Sequence, residues 1–130
     1  MQPEDPCPCG RALAGACCLP LLTGVRQADT PEDLMRSRYS AFVLGDADYL
    51  WRTWHPRTRP EEVTIDPQIV WTGLEIVEAG GDEVEFRASY TAGGALARGA
   101  ESQRTGTLHE RSRFAVRARR WFYLDGKIFE

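Results

Sequence analysis

The stretch TPEDLMRSRYSAFVLGDADYLWRTW, residues 30–54, decides the fold. It opens with Thr30-Pro31-Glu32-Asp33, which reads as a helix start. The Thr30 hydroxyl can accept from a free backbone amide, Pro31 suits the first turn, and two carboxylates sit at the positive end of the helix. Met35, Tyr39 and Phe42 then fall at i, i+4 and i+7, the stripe of a helix with one apolar face. Gly45 ends that helix, and Asp46 can cap a second one. There Ala47, Leu50, Trp51 and Trp54 fall at i, i+3, i+4 and i+7 until Pro56 closes it.

Beyond Pro60 the period drops to two, the repeat of a strand. Val70, Thr72, Leu74 and Ile76 alternate with Trp71, Gly73, Glu75 and Val77, and Ala79-Gly80-Gly81-Asp82 makes a hairpin turn. Val84, Phe86, Ala88 and Tyr90 share the next face. Residues 92–106, rich in Gly and Ala, read as a mobile loop or a long hairpin connection. Leu108, Phe114 and Val116 form another inward face, and Trp121 to Leu124 a last strand after a turn near Ala118. Helices first and antiparallel strands after them predict an α+β fold, with helices packed on one face of a curved sheet. Such a cone leaves a cavity suited to a small molecule.

Upstream of the helices lie all four cysteines: Cys7, Cys9, Cys17 and Cys18. Cys7-Pro8-Cys9-Gly10 sets two thiols across a tight turn in which Gly10 can take positive φ. Four thiolates in one short loop can surround a tetrahedral ion. The soft sulfur set favours zinc, with iron possible. So short a segment cannot build its own core, so the metal would supply the fold there. A closed four-sulfur shell leaves no position for water or substrate, which favours a staple over a catalytic metal. A disulfide between the vicinal Cys17 and Cys18 would be strained. Residues 20–29, with Pro20 and Gly24, read as a linker.

The chain has 130 residues, 42% of them hydrophobic, enough for one domain with a small appendage and against disorder. The net charge of −3 gives no strong pull toward nucleic acid or membrane. No apolar run of membrane-spanning length is present. The acidic, proline-rich start lacks the form of a secretion signal, so a cytoplasmic protein with reduced thiols is expected. Fifteen of the sixteen basic residues are Arg, a bias that genomic base composition or a demand for bidentate anion contacts would each produce.

Cys-Pro-Cys-Gly followed by Cys17-Cys18 resembles the SEC-C motif, a short metal-binding module also found at the end of the preprotein translocase motor. Leu34-Met35-Arg36-Ser37-Arg38-Tyr39-Ser40-Ala41-Phe42, Tyr49-Leu50, Trp54-His55-Pro56, Thr58-Arg59-Pro60, His109-Glu110-Arg111-Ser112-Arg113-Phe114 and Trp121-Phe122-Tyr123 resemble the YchJ family over nearly the whole chain. That resemblance implies a zinc knuckle in residues 1–20 and a nuclear-transport-factor-2-like cone over 28–130. It supplies no activity, because that fold hosts enzymes and binding modules alike. Gly10-Arg11-Ala12 replaces the Gly-Ser-Gly usual after the second cysteine, and the gap between the cysteine pairs is one residue shorter.

Within the cone, Arg38 lies four residues from both Leu34 and Phe42, and Glu110 and Ser112 share the inward parity of Leu108 and Phe114. An ion pair between Arg38 and Glu110 is expected, as a lock between helix and sheet or, less favoured, as a catalytic pair. Tyr39 belongs to the helical stripe facing the same space. His55 offers a general acid–base or, preferred, a ring bonded to the last helix carbonyls. Trp54, Tyr90, Trp121 and Tyr123 line a pocket or simply fill the core. Arg111, Arg113, Arg117, Arg119 and Arg120 suggest an RNA or acidic-protein surface, or a solvated face neutralised by nearby Glu and Asp. No nucleophile–base constellation is spelled out, so no catalytic residue is assigned. An interaction or adaptor module, binding a protein partner or small molecule, is the leading expectation. A small hydrolase or isomerase, or a small-ligand carrier, is the alternative.

Overall fold

In the computed structural model, which describes residues 1–93 and 104–129, the helices precede the sheet as the sequence implies. A 3₁₀ turn (Ala14–Ala16) and a one-turn helix α1 (Leu19–Leu22) lead into α2 (Pro31–Leu44) and α3 (Ala47–Arg52). Four strands follow: β1 (Ile69–Gly80), β2 (Glu83–Ala92), β3 (Arg104–Arg117) and β4 (Arg120–Ile128). They pair in sequence order as an antiparallel meander. No helix among the described residues is long and apolar enough to cross a membrane.

The ends of α2 form as its residues dictate. Thr30 Oγ1 accepts from the Asp33 amide at 3.1 Å, with Pro31 in the first turn. At the far end Gly45 adopts φ +74°, and the Asp46 amide reaches back to the Ala41 carbonyl at 2.8 Å. A side chain at 45 would meet nothing within 4 Å, so the left-handed backbone alone is what calls for glycine. Asp46 then caps α3 through the Tyr49 amide.

The second helix stops before the position its apolar spacing implies. Thr53 caps it at Tyr49, and the chain extends to pair with β4: Tyr123 N–H donates to Thr53 O and His55 N–H to Tyr123 O. Trp54 therefore bridges Tyr123 outside the helix, while Trp51 turns outward and stacks on Arg59. Strand pairing satisfies backbone groups that another helical turn would have used.

Strand β1 carries two register shifts, at Trp71/Gly73 and Ile76/Glu78. The extra residue Thr72 reverses the alternation, so Trp71 joins Leu74 and Ile76 on the inner face and Val70 is exposed. Val84, Phe86 and Ala88 are buried as their spacing implies. Val116 is not, because it lies at the hairpin end of β3 and is 56% exposed. Ala118 and Arg119 both take positive φ in that β3–β4 turn. Most of the stretch read as a loop over 92–106 lies outside the described residues, and its last residues, 104–106, are strand. The segment read as a linker is partly helical: α1 buries Leu21 and Leu22.

Candidate metal centre and cone cavity

The Gly10 amide donates to the Cys7 carbonyl at 2.9 Å, and Gly10 sits at φ +84°, closing the Cys-Pro-Cys-Gly turn. The Cys7 amide bonds Ala12 O, so the loop folds into a miniature hairpin. The 3₁₀ turn brings back Cys17 and Cys18, the latter at the start of α1. All four thiols are free and buried, and their Sγ atoms lie within 4.8 Å of one another. Cys9 and Cys17 approach to 3.4 Å, Cys17 and Cys18 to 3.8 Å. Bonds of ~2.3 Å to a tetrahedral ion place sulfurs ~3.8 Å apart, so this donor set fits a zinc knuckle.

The thiols alone are in electrostatic conflict. Hydrogen bonding from Cys18 holds the Cys7 pKa well below its ordinary value, while the same contact and burial drive that of Cys18 well above. Four such groups cannot all ionise together without a cation among them. Four thiolates around a divalent ion would leave two negative charges. Two guanidinium groups stand beside the cluster: Arg11 Nη2 donates to Cys17 Sγ at 3.6 Å, and Arg36 Nη1 to the Cys9 carbonyl at 3.2 Å. Arg11 also pairs with Asp33 at 2.8 Å and Arg36 with Glu32 at 2.8 Å, and Ser40 Oγ lies 3.7 Å from Cys7 Sγ. These outer partners were not picked out from the sequence. The helical spacing of Glu32, Asp33, Arg36 and Ser40 was the available signal, and Arg11 is one of the two residues that depart from the usual motif. The sulfurs belong to one core with Leu34, Met35 and Tyr39.

A second feature lies between α2 and the sheet. A cavity of about 130 Å³ is lined by Arg38, Tyr39, Trp54, Glu110, Ser112 and Tyr123, all expected there, and by apolar groups that include Met35, Phe42, Trp71, Phe86 and Leu108. Three candidates lie elsewhere. His55 is outside it, its Nδ1 accepting from the Arg57 amide rather than its ring bonding a helix carbonyl. Desolvation and then Arg57, Arg117 and Arg59 lower its pKa. Tyr90 packs edge-on against Trp71 at 5.5 Å. Trp121 donates to Asp29 O and borders a separate crevice with Arg26, Arg52 and Arg120.

The expected Arg38–Glu110 ion pair does not form. Arg38, 4% exposed, donates Nη1 to the Leu50 carbonyl at 2.9 Å and to Thr53 Oγ1 at 2.7 Å. Its guanidinium lies 4.5 Å from the Tyr123 ring centroid and 5.4 Å from that of Trp54. Glu110 instead folds back along β3 to accept from Ser112 Oγ at 2.6 Å, over Gly126, where a Cβ would collide with it. Burial lowers the Arg38 pKa to about 10. On the outer face, Glu78, Glu83 and Glu85 surround Arg111, and Asp125 pairs with Arg113, which neutralises that part of the arginine-rich hairpin.

Residues 30–126 match the family model described as "YchJ, middle NTF2-like domain". The chain belongs to the YchJ family. A UPF0225 protein of Deinococcus radiodurans is 50% identical over 95% of this chain and 89% of its own length. One of Streptomyces coelicolor is 49% identical over 99% of this chain and 100% of its own length. The YchJ architecture also matches a solution structure of a SEC-C motif containing protein from Rhodopseudomonas palustris. There the TM-score is 0.77 and the identity 32%, over 95% of this chain and 98% of that one. A crystal structure of a SEC-C motif containing protein from Psychrobacter arcticus, at TM-score 0.69 and 24% identity over 98% and 85% of the two chains, shares the fold.

Proposed function

We propose that this YchJ-family chain is a zinc-dependent binding module of the cytosol, acting by engaging a partner rather than by chemistry at its metal. Zinc held by Cys7, Cys9, Cys17 and Cys18 would fix the N-terminal segment, residues 1–20, against α2 of the cone domain, for which we propose the bounds 28–130. The reading rests above all on the closure of the sulfur set: four buried thiols within 4.8 Å would fill every position of a tetrahedral ion. Zinc is preferred over iron because the site needs only charge neutralisation and tetrahedral geometry. The reduced thiols suit a cytosolic setting. In this role Arg11 and Arg36 hold the outer face of the cluster and tie it to the first turns of α2.

Two measurements test this. With the ion chelated under reducing conditions, amide exchange over residues 5–24 should accelerate strongly while β2 and β3 keep their protection. Unchanged protection of 5–24 would show that the metal is not what orders the segment. In the cobalt-substituted protein, azide or imidazole should leave the visible spectrum unaltered. A spectral change would reveal an open coordination position and shift the assignment toward an enzyme.

A further inference from the structure

We propose that the cone cavity is a binding site for a small carboxylate with an apolar body, its carboxylate received by Arg38. The cavity is separate from the metal cluster, and this inference does not depend on which ion the cysteines hold.

A buried charge is normally paired, because desolvation is costly. Arg38 is the exception: it is the one charged residue buried among the described residues, and no carboxylate lies within 4.0 Å of it. Only Nη1 is engaged by hydrogen bonds, to groups that carry no charge. A fixed positive charge with no countercharge on one wall calls for an anionic acceptor.

The remaining walls choose the kind of anion. Met35, Phe42, Phe86, Ala88 and Leu108 offer no donor to an oxyanion, and the Glu110 carboxylate in the same cavity opposes a second negative charge. Phosphate would face them with unpartnered oxygens and a charge that one guanidinium cannot balance. A halide would leave the apolar volume wet. A space of about 130 Å³ matches a small hydrocarbon body, since an apolar cavity of ~150 Å³ admits benzene. Across the cavity, the Glu110 carboxylate and Ser112 hydroxyl form a polar pair able to accept from a hydroxyl or ammonium on the ligand.

The test is an amide-shift titration of the intact, metal-loaded protein with one matched series: isocaproate, leucic acid, leucine and neutral isocaproamide. The acids should move the Met35, Phe86 and Leu108 signals saturably, with isocaproamide weaker by on the order of tenfold or more, the loss of a charge-assisted bond. Tighter binding of leucine or leucic acid than of isocaproate would assign Glu110 and Ser112 to the ligand's second group, and tighter isocaproate would restrict the site to plain acids. Arg38→Met should erase the preference for acids over the amide. Equal binding of amide and acids, or no response to any acid in the wild-type chain, would overturn the proposal.

Discussion

Replacing Glu110 by Gln separates the observed cavity from a salt-bridged one. In the structure Glu110 bonds Ser112 Oγ at 2.6 Å, and Arg38 is anchored independently to Leu50 and Thr53. The amide introduced by Glu110→Gln would keep an acceptor for Ser112. The change therefore trades a hydrogen bond to a charged group, about 1.5–3 kcal/mol, for a neutral one of about 1 kcal/mol, a loss near 1 kcal/mol. For a chain of this length that is a fall in melting temperature of about 4 °C. Had Glu110 been the counterion of a buried arginine, its removal would cost about 3–5 kcal/mol, or roughly 12–20 °C. Thermal and urea unfolding followed by circular dichroism, at fixed metal loading, reads the difference directly. A loss above about 3 kcal/mol would refute the independent anchoring of Arg38, and with it the case for a vacant countercharge.

Phe114, 1% exposed beneath Tyr123, should cost about 3–5 kcal/mol when cut to Ala, read from urea midpoints; a cost under about 1 kcal/mol would mean the core is not packed there. Gly45→Ala should cost about 1 kcal/mol or more through its left-handed backbone alone, so a neutral result would place the end of α2 elsewhere. Arg113 holds the Asp125 carboxylate below its usual range, and His109 with Arg111 does the same for Glu85. Because both folded values lie below the unfolded ones, their stabilisation is complete at neutral pH and drains away as pH falls through the acid range. Asp125→Asn should flatten the acid limb of a stability–pH curve relative to wild type; an unchanged limb would show that the pair contributes nothing.

The residue order made the α+β layout legible because capping chemistry and apolar period are local properties. Thr30, Gly45 and Asp46 act where their side chains or backbone freedom say they should. What escaped were outcomes of long-range competition. Trp54 left the helix because Tyr123, distant in sequence, offered it a strand partner. Val70 faced outward because one extra residue reversed the parity of β1. The cysteine cluster was legible because its ligands are close in sequence, but its arginine surroundings needed α2 docked against it. The cavity walls were largely foreseen. The pairing inside was not, since Ser112, two residues on along the same strand, meets the Glu110 carboxylate while Arg38 is held by Leu50 and Thr53.

X-ray absorption at the metal edge of protein purified under reducing conditions, with total metal measured on the same sample, goes straight to the proposed centre. One zinc per chain with four sulfur neighbours at ~2.3 Å is the expected result. Nitrogen or oxygen in that shell, or a folded N-terminal segment without metal, would contradict the account.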